Sequence, residues 1–391
     1  MARIVHLSSA HPRFDTRIFV KQCRSLASHG HELSLVVADG LGDACRDGIR
    51  IVDVGRPSGR GERMLRTTWR VGRAALALGA DVYQLHDPEL IPVGLRLALG
   101  GRKVVFDAHE DVPNQLLDKP YLSPRNARLL SRAYGMLEGG ALRRFDGVLA
   151  ATPTIRDRLA AHQALLVDVN NYPRAEEFTG PAPTGEARAS FCYVGSISAI
   201  RGVRELVQAC ALLRTPARLA LAGSFAEAEL EAEVRRHPGW RRVDALGHLD
   251  RKGIARVMGR AFAGLVTLLP TASYREALPV KMFEYMAAGI PVIASDFPLW
   301  RDIVEGSRCG LCVDPRDPAA IAAAIDHLAS HPRQAREMGA NGRRAVLDRY
   351  NWENEEAKLI AFYADLLSGH STRKKPFKQS NLSAHPIRSI D

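Results

Sequence analysis

Residues 276–295 read EALPVKMFEYMAAGIPVIAS, a pattern that predicts a helix followed directly by a strand. Proline is best tolerated in the first turn of a helix, and the residue before it is driven away from helical angles. We therefore predict a helix that begins near Pro279 and ends at Ala288, where Gly289 stops it. The apolar run IPVIAS that follows has the composition of a strand buried within a sheet.

Three charged residues surround the start of this predicted helix. Glu276 lies on the entering loop, Lys281 in the first turn and Glu284 inside the helix. A first-turn lysine opposes the helix dipole unless an anion neutralises it, and free backbone N–H groups at a helix start attract phosphate. The two acids can then hold the sugar and the ribose of a nucleotide-sugar, with the phosphates between them. A purely structural role for the acid pair is the alternative.

The same alternation of apolar runs and helical patterns extends through the chain. The runs are RIVHL, HELSLVVADG, DVYQLHD, KVVFDAHED and DGVLAATP in the first half, and ASFCYVGS, ARLALAGS, RVDALGH, AGLVTLLP and IPVIASD in the second. Helical patterns such as 202–214 and 318–330 separate them. This alternation predicts the α/β class, with Rossmann-like, doubly wound parallel sheets that bind ligands beyond the carboxyl ends of their strands.

The alternation divides into two similar domains, which we expect to face each other across a cleft. The stretch NNYPRAEEFTGPAPTGEA, rich in proline, glycine and acids, is the predicted linker. The predicted limits are 1–180 for the N-terminal domain, 188–345 for the C-terminal domain, 352–368 for a helix that crosses back to the first domain, and 370–391 for a flexible basic tail.

Composition and charge indicate a globular protein with anionic partners. The chain has 391 residues, 46% of them apolar, and a formal net charge of +11. This balance favours phosphorylated substrates or acidic lipid surfaces, and nucleic acid is disfavoured because no nucleic-acid-binding module accompanies the charge. No run approaches about 18 uninterrupted apolar residues, and the N-terminus lacks a long apolar signal region. We therefore expect a cytoplasmic protein that can also lie on the inner face of the plasma membrane.

Polar residues follow two predicted strands of the first domain, at the position where such sheets bind ligands. His86 and Asp87 follow one strand, and His109 and Glu110 follow the next. We expect His86 and Asp87 to bind a substrate and His109, which two acids follow, to donate to a ligand oxygen. A turn or capping hydrogen bond before Pro88 is an equal alternative for the first pair. A histidine satisfied within the protein is the alternative for His109.

The loop after the first strand reads SSAHPRFDTRIFVKQC. Asp15 precedes a helical pattern, so a helix N-cap is one interpretation of it. His11, Arg13 and Arg17 are then expected to be free to face a substrate.

In the second domain, YVGSISAIRGVRELV places a glycine-containing loop between a strand and a helix. A glycine that allows close approach, beside the fixed cation Arg201, suits a diphosphate, whereas a plain turn with a solvated arginine is the alternative. No DxD or other carboxylate cluster suits a metal that holds a diphosphate. We therefore expect no metal site and assign the positive charge to Arg201 and Lys281.

Arginines recur every three or four residues between Arg56 and Arg73, with Leu65, Trp69 and Leu76 interleaved. A solvated helix face is one interpretation. The other is contact with an anionic membrane surface or a lipid-linked acceptor, since arginines and an interfacial tryptophan suit both. The residues expected to face the membrane are Arg63, Arg66, Trp69, Arg70 and Arg73.

These motifs make residues 1–368 resemble the family-4 retaining glycosyltransferases, which have the two-domain GT-B fold. EALPVKMFE is similar to the family's E-x7-E motif, and YMAAGIPVIASDFPLWRDIVEGSRCGLCVDPRDPAAIAAAI continues in the family's manner. YVGSISAIRGV is similar to the donor-phosphate loop. FDAHED is similar to the segment whose histidine lies near the reacting sugar.

The resemblance implies transfer of a sugar from a nucleotide-sugar donor, with retention at the anomeric carbon and without a cofactor or essential metal. It implies acceptor binding by the N-terminal domain and donor binding by the C-terminal domain. The implied acceptor-side positions are Arg13, Asp15, His86, Asp87 and Glu110. The implied donor-binding positions are Gly195, Arg201, Gly202, Leu278, Val280, Lys281 and Glu284. His109 and Glu276 are the implied catalytic positions, beside the scissile bond and on the donor sugar hydroxyls. The family's usual mechanism is substitution on one face, in which the departing phosphate oxygen takes the acceptor proton.

The chain departs from the family pattern at Ser196, where a basic residue is common, at Pro279, where glycine is common, and in the first loop, which lacks paired glycines.

We expect a hexose or related sugar to be transferred to a lipid-linked or oligosaccharide acceptor in cell-envelope, lipopolysaccharide or exopolysaccharide biosynthesis. Two alternatives stay open. One is another enzyme of the same fold, such as a nucleotide-sugar epimerase or phosphorylase, and the other is a non-catalytic peripheral membrane protein.

Overall fold

The computed structural model describes residues 1–119, 122–163, 165–178 and 190–369. These residues form two compact units. Unit 1 comprises Met1–His109, Met136–Asp168 and the described chain from Leu359 onward, and unit 2 comprises Glu110–Gly135 and Val169–Lys358. The predicted domain limits at 180 and 188 and the predicted tail at 370–391 lie outside the described residues.

Unit 1 is built on a sheet whose strand order is β3-β4-β2-β1-β5-β6-β7-β8. The strands are β1 (Arg3–Leu7), β2 (Glu32–Val37), β3 (Ala44–Arg46), β4 (Ile49–Asp53), β5 (Val82–Leu85), β6 (Lys103–Ala108), β7 (Gly147–Ala150) and β8 (Leu166–Asp168). The pairing is parallel except between β3 and β4. The carboxyl ends of β1, β5 and β6 therefore lie side by side at one edge of this sheet.

Helices connect these strands. The α-helices of the first half of the chain are α1 (Arg24–Ser28), α2 (Arg60–Glu62), α3 (Thr68–Leu78), α4 (Ile91–Leu99), α5 (Val112–Leu117), α6 (Pro124–Leu142) and α7 (Pro153–Leu159). Two π-helices, Thr16–Cys23 and Arg63–Thr67, lead into α1 and α3, and a short 3₁₀ turn covers Pro88–Leu90. π-Helices are rare and often occur at functional sites. The π-helix at Thr16–Cys23 therefore makes the segment after β1 a candidate functional segment.

Unit 2 is built on an all-parallel sheet with the strand order β11-β10-β9-β12-β13-β14. The strands are β9 (Ser190–Val194), β10 (Arg218–Ala222), β11 (Val243–Gly247), β12 (Ala261–Val266), β13 (Val292–Ser295) and β14 (Gly310–Val313). The helices are α8 (Val203–Leu212), α9 (Ala228–Arg236), α10 (Arg251–Arg260), α11 (Ala272–Arg275), α12 (Val280–Ala287), α13 (Pro298–Val304), α14 (Pro318–Ser330), α15 (Pro332–Asp348) and α16 (Trp352–Ser368), with 3₁₀ turns at Ala199–Arg201 and Pro238–Arg242. The first part of α16 belongs to unit 2 and the part from Leu359 belongs to unit 1.

The predicted fold class, two Rossmann-like parallel-sheet domains, is confirmed. Every predicted apolar run forms a strand, and most of these strands are buried, as is typical of parallel sheets; the exception is β11, which lies at an edge and is mostly exposed. Four strands were not predicted: β3, β4, β8 and β14. β3 and β8 have three residues each and β4 is only partly buried, so none of them carries a long apolar signal.

Tyr285 fixes α12 against the sheet of unit 2. Its hydroxyl oxygen accepts the backbone N–H of Val194 at 3.0 Å. The ring lies over Gly264, where an added Cβ would come within 2.3 Å of it. The predicted helix start is confirmed, because α12 begins at Val280 with Pro279 as its extended N-cap. The first turn of α12 is thereby held beside the loop that follows β9.

Among the described residues, no helix has both the length and the apolar content that a membrane crossing requires.

Candidate functional site

The loop between β9 and α8 in unit 2 has a backbone that only glycine can supply at one position. Gly202 has φ of +73° and is the N-cap of α8. An added Cβ there would lie 2.0 Å from the carbonyl oxygen of Thr267. Arg201 closes the preceding 3₁₀ turn, and its Nη1 lies 3.4 Å from the carbonyl oxygen of Ser196. The loop is therefore compact, with a guanidinium fixed at its end.

The Lys281 ammonium is buried against this loop. Nζ is inaccessible to solvent and makes no hydrogen bond within the described structure. It lies 3.8 Å from the centre of the Tyr193 ring. It is also 3.3 Å from the point that a Cβ on Gly195 would occupy. The glycine loop and the first turn of α12, which the sequence predicted separately as parts of one site, are in contact.

The surroundings of Lys281 disfavour its positive charge. Burial, followed by the neighbouring charge of Arg201, lowers the pKa of Lys281 to about 7, and Glu284 acts in the opposite direction. A buried cation beside a second cation is an unfavourable arrangement unless an anion joins it. This end of unit 2 therefore has the electrostatics of an anion site.

Glu284 lies next in the same helix and is paired. It is 7% exposed, and its Oε1 lies 2.6 Å from Nη1 of Arg251. Arg251 also donates through Nε to Glu177 at 2.9 Å and lies over the Phe178 ring at 5.2 Å. One carboxylate oxygen of Glu284 is thus fixed by a guanidinium.

Sequence reasoning missed Arg251. Its partner Glu284 is far away in sequence, and such tertiary pairs leave no local pattern. One signal was present, because Arg251 is the first residue of α10, immediately after the N-cap Asp250. A cation there opposes the helix dipole, as Lys281 does in α12.

The remaining residues predicted in unit 2 lie on the segment that enters α12. Glu276 is exposed and follows α11 directly. Trp300 anchors the segment, since its Nε1 donates to the carbonyl oxygen of Ala277 at 2.7 Å. Leu278 packs against the core, and Val280 is half-buried at the helix start.

In unit 1, residues after β1, β5 and β6 come together as the parallel sheet requires. The ring of His109 lies 5.0 Å from the ring of His11, edge to face. His11 Nδ1 lies 2.9 Å from a carboxylate oxygen of Asp87. Glu110 is exposed and belongs to unit 2. The loop after β1 therefore brings a third group, His11, to the predicted pair of strand ends.

The Asp87 side chain does not cap the turn at Pro88, but its backbone carbonyl oxygen accepts the N–H of Leu90 at 3.0 Å, so the turn hydrogen bond of the alternative is present. Its carboxylate instead accepts from the loop after β1, including the N–H of Ser9 at 2.6 Å and the hydroxyl of Ser8 at 3.0 Å. Burial acts to raise its pKa, but the hydrogen bond and charge of His11 and these donors outweigh burial and hold the pKa of Asp87 well below its usual value.

Arg13 and Arg17 were expected to be free to face a substrate, and this expectation is wrong. Arg13 is 7% exposed and donates two hydrogen bonds to Asp39, at 2.7 and 2.6 Å. Arg17 donates two to the buried Asp107, at 3.0 and 2.6 Å. The capping interpretation of Asp15 is confirmed, because its side chain accepts two backbone N–H groups at the start of the first π-helix.

His86 was placed on the acceptor side, but its side chain is 0% exposed and both of its ring nitrogens are paired within unit 1. Nδ1 lies 3.0 Å from Asp107 and Nε2 lies 2.8 Å from a ring nitrogen of His6. Burial opposes ionisation of Asp107, yet the charge of Arg17 and the hydrogen bond from His86 hold its pKa well below the usual value. His86 is therefore part of the interior.

The predicted arginine stripe is divided between paired and exposed side chains. Arg63 forms an ion pair with Glu89 at 2.9 Å and Arg70 forms one with Glu62 at 3.2 Å, so both charges are paired within the protein. Arg66 and Arg73 are exposed. Trp69 is 53% exposed, with the Arg73 guanidinium 5.0 Å from its ring centre. Met64 and Leu65 are also exposed.

Within the described ranges, no group of three or more His, Cys, Asp or Glu side chains is arranged to hold a metal ion.

Two family models match successive parts of the chain. Residues 16–169 match the glycosyl transferase 4-like domain, and residues 176–345 match glycosyl transferases group 1. The chain belongs to the family-4 glycosyltransferases.

Similar proteins agree with this family. A D-rhamnosyltransferase of Pseudomonas aeruginosa is 26% identical over 68% of this chain and 68% of its own length. A glycogen synthase of Mycobacterium tuberculosis is 25% identical over 60% of this chain, and the chain spans 58% of that relative's length.

Two solved structures share the fold. Sucrose-phosphate synthase of Thermosynechococcus elongatus has a TM-score of 0.75 and 21% identity, covering 94% of this chain and 100% of the other. HepE of Anabaena in complex with UDP-glucose has a TM-score of 0.71 and 14% identity, covering 93% and 100%. At these identities they show the fold of this family-4 glycosyltransferase.

The buried ammonium predicts an unusual stability effect. In the unfolded chain the pKa of Lys281 is the ordinary 10.5, and in the fold it is about 7. Between these values the unfolded state binds more protons, so folding becomes more favourable as pH rises toward 10.5, and the full cost applies below 7. Without ligand, Lys281→Met should therefore raise the free energy of unfolding at neutral pH by roughly 2–5 kcal/mol, and the gain should shrink near pH 10.

Urea unfolding of the wild type and of Lys281→Met, at neutral pH and near pH 10, measures this effect. Arg333→Met, which removes an exposed charge from the same unit, is the matched control and should change little at either pH. A Lys281→Met variant that is destabilised equally at both pH values would show that the ammonium carries no such cost.

Proposed function

We propose that this protein transfers a sugar from a nucleotide-sugar donor to a hydroxyl group of an acceptor, with retention at the anomeric carbon and without a cofactor or essential metal. The observation that carries the proposal is the buried Lys281 ammonium, which has no hydrogen-bond partner in the described structure. It lies against the glycine loop and is close enough to Arg201 for that charge to lower its pKa. A diphosphate supplies the missing negative charge.

In this proposal the donor occupies unit 2. Arg201 and Lys281 hold the diphosphate, over a loop whose Gly195 and Gly202 allow close approach. Glu284, with one oxygen fixed by Arg251 at 2.6 Å, offers its other oxygen to the ribose diol. Glu276, Leu278 and Val280, on the segment entering α12, surround the donor sugar. The UDP-glucose complex of HepE, a protein of the same fold, supports this class of donor.

Charge stabilisation and positioning are then the main catalytic contributions. The leaving diphosphate gains charge as its bond to the sugar breaks, and the two fixed cations stabilise that charge without a metal. Retention follows from substitution on one face, with the acceptor captured on the side from which the diphosphate departs. His109 acts beside the reacting sugar. A strict requirement for a divalent metal, or a product with inverted configuration, would contradict this mechanism.

We further propose a lipid-linked or oligosaccharide acceptor bound by unit 1, in cell-envelope or exopolysaccharide biosynthesis on the cytoplasmic side of the membrane. The support is the exposed face of the helix at 63–78, where Arg66, Trp69 and Arg73 are accompanied by exposed Met64 and Leu65. Cations beside an interfacial tryptophan suit an anionic lipid surface.

Binding and hydrolysis of donors test the proposal. UDP-, GDP- and ADP-sugars are titrated in the presence of EDTA, and slow release of free sugar is followed. We expect one nucleotide class to bind and to be hydrolysed without metal. Lys281→Met should weaken binding by about 10- to 100-fold, the range expected for lost hydrogen bonds to a charged group.

Glu284→Ala provides a more specific test. It should weaken binding of the ribonucleotide but leave the affinity for its 2′,3′-dideoxy analogue unchanged, since that analogue has no diol to hold. The exposed-site variant Arg333→Met should bind like the wild type. The proposal fails if no nucleotide-sugar binds, or if both Lys281→Met and Glu284→Ala bind like Arg333→Met.

Vesicle binding tests the membrane part separately. The protein should bind vesicles that contain phosphatidylglycerol and bind vesicles of phosphatidylcholine alone much more weakly. Arg66→Glu should weaken binding by roughly tenfold or more, since each cation near an anionic surface contributes about 1 kcal/mol. Arg333→Glu makes the same charge change in unit 2. Equal binding by the two variants would exclude the exposed helix face as the contact.

A further inference from the structure

The short helix α11 of unit 2 ends at Glu276, the position assigned to the donor sugar. The helix comprises Ala272–Arg275, and Glu276 is its C-cap. Its residues are exposed or half-buried, and Tyr274 packs partly against the core. A helix of one turn is too short to be stable through its own hydrogen bonds. The position of Glu276 therefore depends on the contacts that hold this turn in place.

The Asp118 carboxylate binds the start of α11. Oδ1 accepts the N–H of Ala272 at 3.0 Å, and Oδ2 accepts the N–H of Ser273 at 2.9 Å. The hydroxyl of Thr271 accepts the next N–H, that of Tyr274, at 3.2 Å. The first N–H groups of a helix have no partner within the helix itself. Side chains therefore satisfy these successive N–H groups, and Asp118 satisfies two of them.

Asp118 lies far from α11 in sequence but in the same unit. It is the C-cap of α5, and the segment Glu110–Gly135 belongs to unit 2. Its two hydrogen bonds to α11 join residues 154 and 155 positions apart. Hydrogen bonds from N–H groups to a carboxylate are charge-assisted and stronger than neutral ones. Asp118 thus fixes the turn that ends at Glu276.

The chain is also anchored just after Glu276. The buried Trp300 donates from Nε1 to the carbonyl oxygen of Ala277 at 2.7 Å. Glu276 therefore lies between two anchors, with Asp118 holding the turn before it and Trp300 holding the residue after it. A carboxylate that meets particular hydroxyl groups of a sugar needs such a defined backbone position.

We infer that Asp118 is a positioning residue for the donor sugar, because it holds the turn from which Glu276 meets the sugar hydroxyl groups. The inference rests on the proposed function, in which Glu276 contacts the donor sugar. Asp118 uses both carboxylate oxygens on α11 and acts through Glu276. Recognition of the sugar, and not of the nucleoside diphosphate, therefore depends on Asp118.

Hydrolysis of the donor in EDTA tests this inference, with whichever of UDP-glucose, GDP-mannose and ADP-glucose the wild type hydrolyses. Asp118→Ala should lower kcat/KM by about 10- to 100-fold, the range expected when a hydrogen bond to a charged group is lost. Its affinity for the nucleoside diphosphate, which lacks the sugar, should stay within about twofold of wild type. Asp118→Asn keeps one acceptor oxygen, so its kcat/KM should lie between those of wild type and Asp118→Ala.

A double-mutant cycle shows whether Asp118 acts through Glu276. Once Glu276→Ala has removed the carboxylate, the addition of Asp118→Ala should lower kcat/KM by less than about twofold further. Asp302→Ala removes an exposed carboxylate of unit 2 and should leave kcat/KM unchanged in both backgrounds.

The inference alone is overturned by an Asp118→Ala variant whose kcat/KM is within about threefold of wild type, or whose affinity for the nucleoside diphosphate falls as much as kcat/KM does. It is also overturned if Asp118→Ala has its full effect in the Glu276→Ala background, because Asp118 then acts independently of Glu276. A wild type that hydrolyses none of these donors overturns the proposed function as well.

Discussion

The candidate donor site of unit 2 is centred on a lysine ammonium that is buried without a hydrogen-bond partner among the described residues. Tyr285 fixes α12 on the sheet, and this places Lys281 over the Tyr193 ring beside the glycine loop. Arg201 acts against the positive charge of Lys281, and the carboxylate that favours this charge, Glu284, is itself paired with Arg251. The charged form of Lys281 therefore carries an electrostatic cost that a bound anion would relieve, as is common where stability is given up for binding.

Unit 1 is organised by two buried carboxylates rather than by a buried cation. Asp107, near the end of β6, binds Arg17 and His86, and Asp87, just after β5, binds His11 and the backbone of the same loop. Both draw on the segment that follows β1, so the loop and the first π-helix are attached to the carboxyl edge of the sheet. Ligand-facing residues of such folds come from this edge, and the two carboxylates determine which of them remain accessible.

The sequence predicted those parts of the fold that have a local cause. Apolar runs predicted the central strands, and Pro279 predicted the start of α12 because its ring restricts the chain on both sides. The site was only partly predictable, since ion pairs form between residues distant in sequence. Arg17 was predicted to face a substrate, yet it is paired with Asp107, which lies 90 positions away. Arg251 was not predicted, because its role becomes visible only when α10 and α12 are adjacent.

Proton uptake on nucleotide binding tests the central claim most directly. The nucleoside diphosphate that binds is titrated calorimetrically about one pH unit above 7, in two buffers with different ionisation enthalpies. Lys281, with a pKa of about 7, is then mostly neutral in the free protein and must become charged beside the diphosphate. We predict uptake of close to one proton per nucleotide, and its loss in Lys281→Met. Binding of equal strength without proton uptake would contradict the account, because Lys281 would then not be the group that meets the diphosphate.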